Sequence, residues 1–183
     1  MKILKRIVIF IGIILFLLFV TAFFLPSKYH VERSLVIKAT PETIFPHVNN
    51  LHEWEKWTPW NKSVDSTFTT TYEGPEQGAG AIQKWEAKKL GMGILKITES
   101  VSGKTVKYDL NLENDKFKAT GYVNLALQND SSTKVTWADD GDLGFNPIAR
   151  YLGLMFDKIM GPDFEIGLHK LDSLCNIKPE IKI

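Results

Sequence analysis

The chain is predicted to be an α+β protein: one strand, two short helices, six further antiparallel strands and a long C-terminal helix, behind a single hydrophobic helix long enough to span a membrane. Three observations predict it. Residues Ile7 to Leu25 carry no charge. Between Thr67 and Asp139, short stretches rich in β-branched and aromatic residues alternate with turn residues. From Asn146 onward, apolar residues recur at spacings of three and four, the period of an amphipathic helix.

The apolar N-terminal run comes first. A hydrocarbon core about 30 Å thick takes about 20 residues of helix, and the 19 residues of IVIFIGIILFLLFVTAFFL are enough. The run shows no polar face, unlike a helix that packs on a soluble core. Lys2, Lys5 and Arg6 are the only charged residues before Ser27. They favour a cytoplasmic N-terminus, with the rest of the chain on the extracytoplasmic side. Pro26 ends the helix. The expected division is therefore an anchor over residues 1–26 and one domain over residues 27–183. A cleaved signal peptide is the competing reading. Val20-Thr21-Ala22 has the form of a cleavage site, although the apolar run continues past it through Phe23, Phe24 and Leu25.

In the domain, Tyr29–Ala39 reads as a strand, with Val31, Leu35 and Ile37 on one parity, Glu32, Ser34 and Lys38 on the other, and Val36 out of step. Thr40-Pro41-Glu42 opens a helix over Pro41–Val48, threonine as the cap and proline at the first helical position. A second short helix is expected over Leu51–Trp57. Strands follow at Thr67–Tyr72, Ala81–Ala87, Gly93–Ser100, Thr105–Leu112, Lys116–Gln128 and Thr133–Asp139. Their short connections, such as Ser102-Gly103 and Asn129-Asp130-Ser131, favour hairpins over crossover helices. Asn146-Pro147 starts the last helix. Gly161-Pro162 is expected to kink or break it.

Composition removes several function classes. Of 22 basic residues three precede the apolar run, which leaves 19 against 21 acidic residues, so the domain carries about −2. Its lysines are scattered, and no basic block tracks a nucleic acid. Cys175 is the only cysteine, so neither an intramolecular disulfide nor a cysteine zinc cluster can form. His30, His47, His52 and His169 make no metal-ligand pattern. No metal and no cofactor are expected. The glycines of GPEQGAGA lie between strands, with no Lys-Ser/Thr after them, and read as a tight hairpin rather than a phosphate loop. Asp139, Asp140 and Asp142 read as a solvated loop at a strand end. No nucleophile–base pair is recognisable, so enzymatic activity stays open. Of the pairs Trp85/Glu86 and Tyr108/Asp109, one member each faces inward, because neighbours on a strand point opposite ways; the sequence does not choose.

The stretch VERSLVIKATPETIFPHVNNLHEWEKWTPW, the glycine hairpin YEGPEQGAGAIQKWE, the strand TKVTWADDGDL and the closing helix NPIARYLGLMFDKIMGPDFEIGLHKLDSL together resemble the SRPBCC superfamily. That group includes polyketide cyclase- and dehydrase-like proteins, START-related lipid-transfer domains and the birch-pollen allergen family. The resemblance covers about residues 30 to 175 and is closest to bacterial, membrane-anchored members. It implies the helix-grip fold, a curved antiparallel sheet of about seven strands wrapped on the long C-terminal helix. It also implies a cavity between sheet and helix for a hydrophobic small molecule or lipid. The expected ligand-binding residues are Trp57, Trp60, Trp85, Tyr108, Phe117, Met155 and Ile159, with Trp57 and Trp60 as a cover. EWEKWTPW equally reads as packing over the sheet. Two other roles follow from relatives: a cyclase- or dehydrase-type enzyme on a polyketide-like substrate, with Glu86, Asp109 or His47 facing inward, and a chaperone-activator-like interaction module with a filled core.

The protein recovered from membranes is expected to have an intact mass that includes residues 1–22. A mature chain beginning at Phe23 would exclude the anchor.

Overall fold

Side-chain alternation along the first strand sets the layering. The computed structural model describes residues 2–176. Residue 1 and residues 177–183, the outer ends of the expected anchor and domain, lie outside the described residues. β1 (Lys28–Ile37) turns Tyr29, Val31, Arg33, Leu35 and Ile37 inward and His30, Glu32, Ser34 and Val36 outward. Val36, out of step in the sequence, is an exposed valine. Ahead of β1, α1 (Lys2–Ala22) is a continuous helix. By length and composition its Ile3–Ala22 stretch suits a membrane crossing, a property shared by anchors and signal sequences.

Pro41 stands at the first position of α2 (Pro41–Asn49), where a missing N–H is no loss. Thr40 does not cap this helix with its side chain; its carbonyl accepts from the Thr43 and Ile44 N–H groups. Asn50 caps α3 (Leu51–Trp57) by accepting from the His52 N–H. β2 (Thr69–Glu73), β3 (Ile82–Ala87), β4 (Gly91–Val101), β5 (Thr105–Leu112), β6 (Phe117–Asn129) and β7 (Ser132–Asp142) form a meander. β1 pairs with β7, which gives a seven-stranded sheet of order β1-β7-β6-β5-β4-β3-β2, antiparallel throughout.

The helical end differs from expectation. The break falls at Leu154 and Met155, between α4 (Pro147–Gly153) and α5 (Phe156–Cys175), and α5 runs through Gly161-Pro162. Pro162 removes a single backbone bond, and a clamp from β1 spans the spot. The Arg33 guanidinium occupies the place a Cβ on Gly161 would take. Its Nη1 donates to Asp157 at 2.7 Å and its Nε to Glu165 at 2.7 Å, one residue a turn before Gly161 and the other a turn after it. Such partly exposed pairs contribute little singly, but a forked guanidinium holding two carboxylates fixes geometry.

α5 buries Phe164, Leu168 and Leu171 against β1, β7, α2 and α3. The Trp137 ring stacks on Phe164, with centroids 4.2 Å apart and planes 7° from parallel. Trp54 and Trp57 pack against Trp137 at steeper angles. The architecture is α+β helix-grip: an antiparallel sheet packed on a long C-terminal helix.

Candidate functional site

Along its first half α5 packs on β1, through Phe156 against Tyr29 and through the Arg33 clamp, but stands off from β3, β4 and β5. Between them lies a cavity of about 330 Å³. Its walls follow from strand parity. Gln83 and Trp85 point in from β3, Leu95 from β4, and Tyr108, Leu110 and Leu112 from β5. Ile159, Met160 and Asp163 face it from α5, and Trp54, Trp60 and Phe68 complete it.

Four of the seven sequence-predicted residues, Trp60, Trp85, Tyr108 and Ile159, come together here. Three do not. Trp57 is completely buried, its Nε1 donating to the His47 carbonyl at 3.1 Å, so it is core and not a cover. Phe117, at the start of β6, and Met155, in the break before α5, are half exposed and away from the cavity. Their spacing was helical or alternating, but both sit at element ends, where that period stops.

The open choices on β3 and β5 resolve in favour of the aromatics. Trp85 and Tyr108 line the cavity, while Glu86 and Asp109 are exposed. His47 pairs with Glu53 at 3.1 Å, outside the cavity. The inward carboxylate is instead Asp139, in correction of the solvated-loop expectation. It lies inside β7 and is 1 % exposed. The signal was available: Val135, Trp137 and Asp139 share one parity of a strand, so an inward Trp137 carries Asp139 inward.

Register then brings the polar groups together. Tyr108, Gly121 and Asp139 lie side by side across β5, β6 and β7. Adjacent strands are about 4.8 Å apart, so the two outer residues meet only by crossing the middle one. Gly121 permits this, since a Cβ there would overlap the Asp139 carboxylate and the Tyr108 phenol. The Tyr108 hydroxyl donates to Asp139 Oδ1, and Trp137 Nε1 donates to that hydroxyl at 2.8 Å. Burial pushes the Asp139 carboxyl up to about 6; the Tyr108 hydrogen bond opposes the shift and the neighbouring Asp140 charge adds to it. Burial also carries the Tyr108 phenol well above its ordinary value.

The lining among the described residues includes Asp139 and Asp163 but no lysine, arginine or histidine. Among the described residues no group of three or more His, Cys, Asp or Glu is arranged to hold a metal ion. The site is thus largely apolar walls with one fully buried acid, Asp139, and a second, Asp163, that is partly exposed. Such an acid can accept from a donor or, when protonated, donate.

Residues 28–175 match the family described as polyketide cyclase / dehydrase and lipid transport. The chain belongs to this family. Its members are proteins that bind hydrophobic ligands. Solved structures share the fold of this polyketide cyclase / dehydrase and lipid transport domain at low identity. A protein from Thermobifida fusca superposes with a TM-score of 0.62 at 15% identity, over 80% of this chain and 92% of its own. Truncated norcoclaurine synthase from Thalictrum flavum gives 0.61 at 10%, over 82% and 95%. The Aha1 dimer from Colwellia psychrerythraea gives 0.53 at 16%, over 81% and 96%. No curated protein matches the chain.

Asp139 gives this family domain a testable pH dependence. The group ionises from an ordinary value of 3.8 when unfolded and at about 6 when folded. Between those values the folded chain binds the extra proton, so stability falls as pH rises through the window, by up to about 3 kcal/mol, and this contribution is level above it. Asp139→Asn is expected to remove that slope, gaining on the wild type from pH 4 to pH 6. Urea midpoints across pH 4–7 measure it; parallel curves for the two proteins would contradict the buried, raised carboxyl.

Proposed function

We propose that the chain is a single-pass membrane protein whose domain, on the extracytoplasmic side, binds a hydrophobic small molecule or lipid-like ligand without covalent chemistry. The observation that carries this is the cavity of about 330 Å³ between the sheet and the N-terminal half of α5. That size is at the small end of ligand pockets, about 300–1,000 Å³. Trp60, Trp85, Tyr108 and Ile159 supply its walls, and apolar burial supplies affinity at about 25 cal/mol per Å² before ordering costs. The exposed apolar length of Ile3–Ala22 and the basic residues before Ile7 support residues 7–25 as the anchor and the cytoplasmic N-terminus. The polar end of the ligand is a neutral or cationic hydrogen-bond donor, because the charged residues lining the cavity, Asp139 and Asp163, are acids.

A second reading, catalysis on the bound molecule, has one observation in its favour: Asp139 is an acid buried in the cavity wall with a carboxyl raised to about 6, a value suited to proton transfer near neutrality. Turnover of a bound substrate that Asp139→Asn abolishes while binding persists would establish it.

The binding reading is tested by native mass spectrometry of the full chain from detergent, with decylamine and decanoate as ligands at pH 7. Decylamine is expected to bind at least about tenfold more tightly, the effect of roughly 1.4 kcal/mol. Leu110→Trp, whose added ring fills the cavity, is expected to abolish binding while the fold is retained. Equal binding of both ligands would remove the donor requirement, and unchanged binding in Leu110→Trp would remove the cavity.

A further inference from the structure

The residues between the sheet and α5 form a second apolar surface, and its position relative to α1 says what covers it. Arg150, buried in α4, donates its Nη1 to the carbonyls of Ala22, Phe23 and Leu25 at 3.1–3.3 Å. These are carbonyls at and just beyond the C-terminal end of α1, where intrahelical donors run out; Ala22 accepts in addition from the Leu25 N–H. Arg150 Nε meanwhile donates to the Gly144 carbonyl at 2.8 Å, tying the connection from β7 into the same joint. The next residue, Tyr151, reaches further back along α1 and donates its hydroxyl to the Leu18 carbonyl at 2.9 Å. Leu18 lies four residues before Ala22, about 6 Å down the helix axis.

α4 therefore packs beside the last turn of α1 and overlaps it in depth. On the anchor reading that turn is at the outer edge of the hydrocarbon, where tyrosine is enriched. Around Tyr151 and Arg150 the side chains of Phe145, Ile148, Leu152, Leu154 and Met155 are turned away from the domain, Phe145 83 % and Ile148 72 % exposed. Large apolar side chains concentrated over a dozen residues mark an interaction surface rather than scatter.

We propose that this ridge, Phe145 to Met155, is inserted in the outer leaflet of the bilayer beside α1, so that the domain is held flat on the membrane by two contacts and not by a tether alone. The proposal rests on α1 being an anchor. It has a consequence for the cavity. Ile159, one turn beyond Met155, is 53 % exposed and also lines the cavity, so the cavity mouth adjoins the inserted ridge. An apolar ligand then passes between lipid and cavity with little exposure to water.

The test uses the full chain, in a Cys175→Ser background, reconstituted in vesicles of phosphatidylcholine and phosphatidylglycerol. Nitroxide labels are placed singly at Ile148→Cys, Leu152→Cys, Ile14→Cys within α1, and Lys104→Cys in the β4–β5 turn at the opposite end of the sheet. Collision with oxygen, which concentrates in lipid, is compared with collision with a water-soluble nickel chelate. The oxygen-to-nickel ratio is expected to rise severalfold at 148 and 152 relative to 104, with both less deep than 14. Ratios at 148 and 152 equal to that at 104 overturn the proposal. If position 14 is then deep in lipid, the anchor stands and the ridge alone fails; if position 14 is aqueous, the anchor reading falls with it. Labels at 148 and 152 shielded from both collision partners place protein against the ridge and also overturn the lipid assignment.

Discussion

Trp137 is the side chain on which the rest of the domain depends. Its ring lies face to face with Phe164 and holds the middle of α5 onto the β1–β7 side of the sheet. Its indole N–H goes to the Tyr108 hydroxyl, which in turn donates to Asp139. One buried residue thus fixes where the helix touches the sheet, and so where it does not. It also holds the polar row that crosses Gly121. Removing a stacked aromatic of this size from a core costs about 3–5 kcal/mol, so the side over β1 and β7 is closed and stable, and the side over β3 to β5 is left as a cavity with a polar floor.

The single carboxylate in that floor has an electrostatic meaning. A buried acid without a basic partner is unfavourable as an ion, which is why the Asp139 carboxyl is raised to about 6. The fold tolerates it through the Tyr108 hydroxyl and through Gly121, which leaves the space for that bond. Local rules are commonly broken where a protein does something with the result. Here the broken rule is an unpaired acid in an apolar chamber, and the arrangement suits a ligand that is greasy along its length and a donor at one end.

Much of the architecture was legible because period and turn chemistry agreed. The alternation of Val31, Leu35 and Ile37, the Thr40-Pro41 helix start and the closely spaced hairpins gave the element order, and the family resemblance turned that order into a helix-grip sheet. The site was legible in part. Trp60, Trp85, Tyr108 and Ile159 line the cavity, whereas Trp57 went to the core because three tryptophans compete for one interface and its indole bonds to the His47 carbonyl. Asp139 was misplaced because three neighbouring acids suggested water, although the parity shared with Trp137 pointed inward. The position of the helix break was hidden for a different reason. Pro162 is a local signal, but the clamp from Arg33 on both of its flanks is a contact across the whole domain that no window of sequence contains.

The open half of the helix–sheet interface is the central claim, and the five tryptophans report on it separately. Trp54, Trp57 and Trp137 have their indole N–H groups bonded within the protein, and Trp60 and Trp85 stand in the cavity wall beside Trp54. Nuclear magnetic resonance of the five indole N–H signals during a titration with decylamine tests it most directly. The signals of Trp60 and Trp85 are expected to shift and saturate together while that of Trp57, bonded to the His47 carbonyl in the core, stays in place. Five unmoved signals, or a shift centred on Trp57, would contradict a ligand-binding cavity at this site.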